Sequence, residues 1–197
     1  MLQKLVKLPQ VSSRLQTRLV TTKVMYYLRY IRHFKLVASE VGPYSSDVLA
    51  INKNKYVTEV EVKVSWPDFR HEFKKELHYR MKKFKKHEIY ANATSPWVPN
   101  YYFFAVPEEL SDKVVAYLDK TNSKYGVIKV DNGKILNGFN TTQCLVVKSA
   151  KRLHTNVCSE KLLDSVIARM SSEVIQRRTN LCDMLYNKEI DDQDKEV

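Results

Sequence analysis

Between Thr58 and Phe69 the chain reads T-E-V-E-V-K-V-S-W-P-D-F, with Glu59, Glu61 and Lys63 at alternate positions and valines between them. Alternate side chains of a strand share a face, so one face carries the two acids, the lysine and Ser65, and the other carries Val60, Val62 and Val64. Alone, this describes a solvated strand face as well as a catalytic one. Asp47, in the preceding run D-V-L-A-I, separates the two readings. If the intervening turn, N-K-N-K at 52–55, is odd-numbered and centred on Asn54, Asp47 and Glu61 lie equally far from the centre and stand opposite each other. Directly paired residues have Cβ atoms about 4.5–5.5 Å apart. Two carboxylates that close repel each other unless a cation lies between them. Oxygen donors without histidine or thiolate favour a hard ion, Mg²⁺, with Mn²⁺ able to substitute. An even-numbered turn moves Asp47 to the other face, so one residue of register decides the matter.

The elements that must position these groups follow from periodicity. Leu15 to Arg32 predicts a helix with Val20, Val24, Tyr27, Leu28 and Ile31 on one stripe and Arg14, Arg18 and Arg29 on another face. F-K-L-V-A-S-E-V-G predicts a strand, D-V-L-A-I a second, and Y-V-T-E-V-E-V-K-V-S a third, the last two forming a hairpin. Ser65, Pro67 and Asp68 have the pattern of a capping box, opening a helix whose buried stripe is Phe69, Phe73, Leu77, Met81 and Phe84. On that helix Lys74 and His78 share a face. Y-Y-F-F-A-V predicts a buried central strand, E-E-L-S-D-K-V-V-A-Y-L-D-K a helix, Y-G-V-I-K-V-D another strand, and 159–177 a last helix. Helices alternating with strands after an initial hairpin imply an α/β domain, a mixed central sheet flanked by helices.

S-S-D-V-L-A-I, followed one turn later by E-V-E-V-K-V-S-W-P-D-F, resembles the core of the PD-(D/E)XK nuclease superfamily. Within it, the chain is most similar to small phage and bacterial members with an E-x-K-x-S-x-x-D-F signature. Y-Y-F-F-A-V-P-E-E-L, Y-G-V-I-K-V and K-S-A-K-R-L-H extend the likeness, which spans about residues 36–154. The resemblance implies a restriction-endonuclease-like core with a helical C-terminal extension, and hydrolysis of phosphodiester bonds in DNA. Asp47 and Glu61 would be the metal ligands, joined by the Val62 carbonyl, and Lys63 would orient or activate the attacking water. A metal-bound water is a good nucleophile near neutral pH, and a lysine is a compact cation for the scissile phosphate. Two features depart from the pattern. Ser46 stands where the superfamily has proline, and the first helix has no acid, leaving Glu40 on the first strand as the upstream candidate for a further ligand. Glu40 reads equally as a solvated strand-end acid. The alternative function is a silent nucleic-acid-binding module or partner subunit on the same fold.

Charge points to the same class of partner. The formal net charge is +11; no acid precedes Glu40, and 70–86 holds eight Lys or Arg against two glutamates. A basic body suits a polyanion, DNA before a membrane surface. Lys74, His78, Lys82, Lys83, Lys86, Arg14, Arg18, Lys151 and Arg152 are the candidate phosphate contacts, with Lys4, Lys7 and Lys85 beside them. Trp66, Trp97, Tyr101 and Tyr102 read either as core or as stacking platforms for bases. The histidines form no H-x-H or H-E-x-x-H pattern, and three widely spaced cysteines suit free thiols in a reducing cytoplasm. No apolar run is long enough for a membrane span. Four segments follow: a basic segment with the first helix (1–35), the nuclease-like core (36–155), a helical segment (156–188) and an acidic, disordered tail (189–197). By analogy, a homodimer suits an enzyme that must cut two strands.

Overall fold

The computed structural model describes residues 12–41, 46–74, 76–79, 82–92, 97–131 and 143–193, with side chains for all of these except 76–79, 82–84 and 188–193. In chain order the elements are α1 (Ser13–Tyr26), closed by a π turn (Tyr27–Ile31), β1 (Leu36–Val41), β2 (Ser46–Ile51), β3 (Val57–Val62) and α2 (Trp66–Glu72). There follow β4 (Glu76–Tyr79), β5 (Lys82–Lys85), α3 (Lys86–Asn92), β6 (Tyr101–Pro107), α4 (Glu108–Lys120), β7 (Gly126–Val130), β8 (Cys144–Lys148) and α5 (Glu160–Gln193). The fold is α/β, with a mixed sheet of order β1-β2-β3-β6-β7-β8. The β1-β2-β3 pairings are antiparallel, β3-β6 and β6-β7 parallel, and β8 returns antiparallel to β7.

Register is set at the β2–β3 turn. Asn52 Oδ1 accepts from the amides of Asn54 and Tyr56, and Lys55 takes the left-handed conformation at φ 60° that closes the loop. Ile51 then faces Val57, Leu49 faces Glu59 and Val48 faces Val60, a register symmetric about Asn54. Strand alternation sends Val48, Ala50, Val60 and Val62 to one side, where α1 covers them with Val20, Val24, Tyr27 and Leu28. The other side holds two apolar clusters. One gathers Phe69, Tyr90, Tyr102, Phe104, Val114 and Leu118 of α2, α3, β6 and α4; the other joins Leu49, Ile51 and Val57 to Leu162 and Val166 of α5. Ser39 of β1 still donates to Glu173 of α5; beyond it Ile175, Leu181 and Met184 are exposed, and the helix continues to Gln193 into the acidic stretch whose composition predicts disorder.

The helix expected across 66–86 is interrupted. Ser65 caps α2, accepting from the Asp68 amide, and Pro67 lies in its first turn. At Phe73 the helix stops, and the Lys74 amide closes a turn on the His71 carbonyl. The antiparallel pair β4–β5 follows, pairing Glu76 with Lys85 and His78 with Lys83, before α3 begins at Lys86. An apolar spacing of three and four that fits a helix was thus divided between a helix turn and a two-stranded ribbon. Lys74 and His78 therefore do not share a helix face. Strand β8 and helix α3 are further elements that periodicity did not mark.

Candidate active site

Beyond Val57, the strand positions of β3 that face α2 and α3 are Glu59 and Glu61, and Lys63 follows just past the strand end. Glu59 pairs with Tyr102 and Glu61 with Phe104 on β6, and the Lys63 amide extends the ladder to the Ala105 carbonyl. The expected solvated face is instead buried: Glu59, Glu61 and Lys63 are 1%, 3% and 7% exposed. Water is replaced by a charge network. Lys63 Nζ lies 3.0 Å from Glu61 Oε1, 2.9 Å from Glu72 Oε2 of α2 and 3.7 Å from Asp68 Oδ1. Lys86, the first residue of α3, is fully buried and places Nζ 2.9 Å from Glu59, 3.0 Å from Glu61 Oε2 and 3.3 Å from Glu72 Oε1. The rings of Tyr90 and Tyr102 flank the same ammonium, with centroids 5.7 and 5.3 Å away, and Tyr90 donates to Glu59 at 2.6 Å.

Asp47 completes the edge of this network. Its Oδ2 accepts from the Val62 amide at 2.7 Å, so that amide faces β2, and in an extended strand the Val62 carbonyl points the same way. The Asp47 charge also acts on Glu61. Burial pushes the Glu61 carboxyl up to about 7; Lys86 opposes that rise, Asp47 and Glu72 add to it, and Lys63 opposes it. Lys63 and Lys86 are penalised by burial, but the surrounding carboxylates outweigh this and both ammonium groups are held charged above the usual lysine range.

The structure thus brings Asp47, Glu61, Val62 and Lys63 together, at the carboxyl end of β3. It places the other candidates elsewhere. Lys86, expected to meet a phosphate from solvent, is an internal cation. Glu40 sits on β1 at φ 53° with its carboxylate held by Arg169 of α5, which also donates to the Ser39 carbonyl. Arg14 and Arg18 are exposed on α1, across the sheet from the acids. Arg152 donates to the Tyr101 hydroxyl and lies over the Tyr56 ring, at the amino ends of β3 and β6. Asn100 pins that segment by donating to the His154 and Asn156 carbonyls while accepting from the Val57 amide. Lys151 and Arg152 are therefore roughly 20 Å of strand away from Lys63. Lys74 is exposed in the turn after α2. The side chains of His78, Lys82 and Lys83, and all of Lys4 and Lys7, lie outside the described residues. Of the aromatic candidates, Tyr102 is core and Trp66 packs on Phe69 and Tyr117.

Sequence reasoning missed Glu72 and gave Glu59 no role in the site. The E-x-E-x-K alternation does contain Glu59, but nothing local marks Glu72, whose burial depends on α2 folding back over β3. Glu59, Glu61, Asp68 and Glu72 gather around the Lys63 and Lys86 ammonium groups, His87 Nε2 lies 3.8 Å from Glu72, and Asp47 sits at the edge of the group. Among the described residues, no three His, Cys, Asp or Glu side chains form a metal cage. Two carboxylates suffice for Mg²⁺, which keeps several waters and takes further oxygens from a substrate phosphate. Asp47 and Glu61 have the donor type for that role, and both Glu61 oxygens are bonded to lysines.

Removing the Lys86 ammonium should leave three buried carboxylates without their shared cation. Lys86→Met is expected to lose about 3–5 kcal/mol of unfolding free energy in urea titration, and a loss under about 1 kcal/mol would contradict the network's role. The pH dependence has a definite sign. Glu61 binds its proton more tightly folded than unfolded, so its contribution is complete below the unfolded value of 4.5 and is lost as pH rises through about 7. Glu61→Gln should flatten the decline in stability across that window; an unchanged slope would remove Glu61 as its source.

No protein-family model matches the chain, and no curated protein matches it. Among solved structures, a protein of unknown function from Silicibacter pomeroyi is similar, with a TM-score of 0.53 and 15% sequence identity over 85% of this chain and 92% of that one. At that identity the likeness is one of fold alone.

Proposed function

We propose that the protein is a metal-dependent phosphodiesterase acting on DNA, built on a restriction-endonuclease-like core. The observation that carries this reading is the juxtaposition of Asp47 and Glu61 on neighbouring antiparallel strands, with Lys63 two residues beyond Glu61 and hydrogen-bonded to it at 3.0 Å. Asp47 and Glu61, with the Val62 carbonyl, would hold Mg²⁺ or Mn²⁺; a bound ion would supply a water of lowered pKa and offset charge on the phosphate. Lys63 keeps a charged ammonium at this edge, braced by Glu61 and Glu72, where it can orient a water and receive negative charge from the scissile phosphate. Asp47 and Asp68 are the less buried members of the group and mark the side from which a substrate arrives.

A second reading has its own support. Both Glu61 oxygens are already taken, Oε1 by Lys63 and Oε2 by Lys86, as in a structural ion-pair network. That favours a module that binds nucleic acid and does not cut it. Incubation with single- and double-stranded DNA and RNA, in Mg²⁺, Mn²⁺ or EDTA, decides between the two. The nuclease reading expects metal-dependent cleavage that falls at least about 100-fold in Asp47→Asn and in Lys63→Met. Salt-sensitive binding without cleavage on any substrate supports the silent module, and cleavage that survives both substitutions places the site elsewhere.

A further inference from the structure

On the opposite face of the sheet, under the π turn that ends α1, lies a cleft of about 720 Å³. That volume is within the range of sites that enclose an organic ligand, about 300–1,000 Å³. Tyr27, Phe34, Tyr101 and Phe103 line it beside Leu28 and Ile128, with buried Thr58 and exposed Asn54 among its polar residues. Arg32 and Lys53 give its rim two exposed cations, exposed His33 lies beside them, and no acid is among the described residues that line it. Two local features shape the opening. The π turn widens the last helical turn, a distortion often kept at functional sites, and His33 holds a left-handed φ of 56°. Gly126 matters for the same reason: a Cβ there would lie 2.4 Å from the Phe103 ring, so glycine lets that ring lie across β7.

A flat aromatic body inside and negative charge at the rim is the chemistry of a nucleobase with its phosphate. Arg14 and Arg18 are exposed on α1, the helix that covers this face, and Arg29 is exposed on the π turn that ends it at the cleft. A line of cations leading to an aromatic slot suits a continuous phosphate backbone better than a single free nucleotide. We propose that this cleft receives an unpaired base of a single-stranded nucleic acid, with the adjoining phosphates on Arg32, His33 and Lys53. The site is separate from the acid–lysine cluster and does not rest on the cleavage reading.

The test is fluorescence anisotropy with a short 5′-labelled oligothymidylate in EDTA, alongside dTMP competition. Saturable binding is expected, with dTMP a weak competitor. Arg32→Ala with Lys53→Ala, both at exposed positions, should weaken binding and reduce the salt slope by about 1.4, the value for two phosphate contacts on a single strand. Phe34→Ala should weaken it by about 5- to 150-fold, the range of one lost stacking platform, with a thermal melt confirming the fold. No saturable binding, binding indifferent to the Arg32/Lys53 pair, or dTMP binding as tightly as the oligonucleotide would each overturn the proposal.

Discussion

The lysine ammonium of Lys86 is the constraint around which one face of this sheet is organised. Glu59 and Glu61 project from β3 into a space closed by α2 and α3, where carboxylates cannot be solvated by bulk water. Leaving them there requires a cation at hydrogen-bonding distance, and the chain supplies it from the first residue of α3. Glu72 then ties the two lysines together, one oxygen toward each. Helix α2 is held over the end of β3 by this acid as well as by Phe69. The network fixes where Lys63 sits, because Glu61 and Glu72 leave its ammonium little freedom.

Among the described residues two groups of basic side chains stand out on opposite faces of the sheet, while others, such as Lys74 and Lys85, are exposed near α2 and α3. Lys63 and Lys86 are internal and answer buried acids. Arg14, Arg18, Arg29, Arg32 and Lys53 are external and belong to the α1 face, with its aromatic cleft. A net charge of +11 therefore does not describe a single patch around the acids. Among the described residues, one face holds buried ion pairs and the other carries exposed cations. Any nucleic acid that engaged both would have to pass around an edge of the sheet.

The parts of this arrangement that depend on local chemistry were legible from sequence. Valine alternation marked the faces, Ser65 with Pro67 marked the start of α2, and the register stood as a choice between an odd and an even turn, which the Asn52 side chain and the strand pairing resolve as odd. The parts that depend on tertiary packing were not. Phe69, Phe73, Leu77, Met81 and Phe84 fit one helical stripe, so the turn at Phe73 and the β4–β5 ribbon went unread, and with them the route by which Lys86 enters the core. A lysine in a basic run reads as solvated until its carboxylate partners are known. Glu72 was invisible for the same reason, and Glu40 was drawn off by Arg169, a residue more than a hundred positions downstream.

The central claim is that Asp47 and Glu61 form a cation site and are not merely one corner of a closed ion-pair network. Direct titration of the folded protein with Mn²⁺, followed by electron paramagnetic resonance, tests this without reference to activity. The account predicts a saturable site that Mg²⁺ competes for, that Asp47→Asn weakens at least about tenfold, and that Arg32→Ala leaves intact. Folded protein that leaves Mn²⁺ free at millimolar concentration, or binding unaltered by Asp47→Asn, would contradict it.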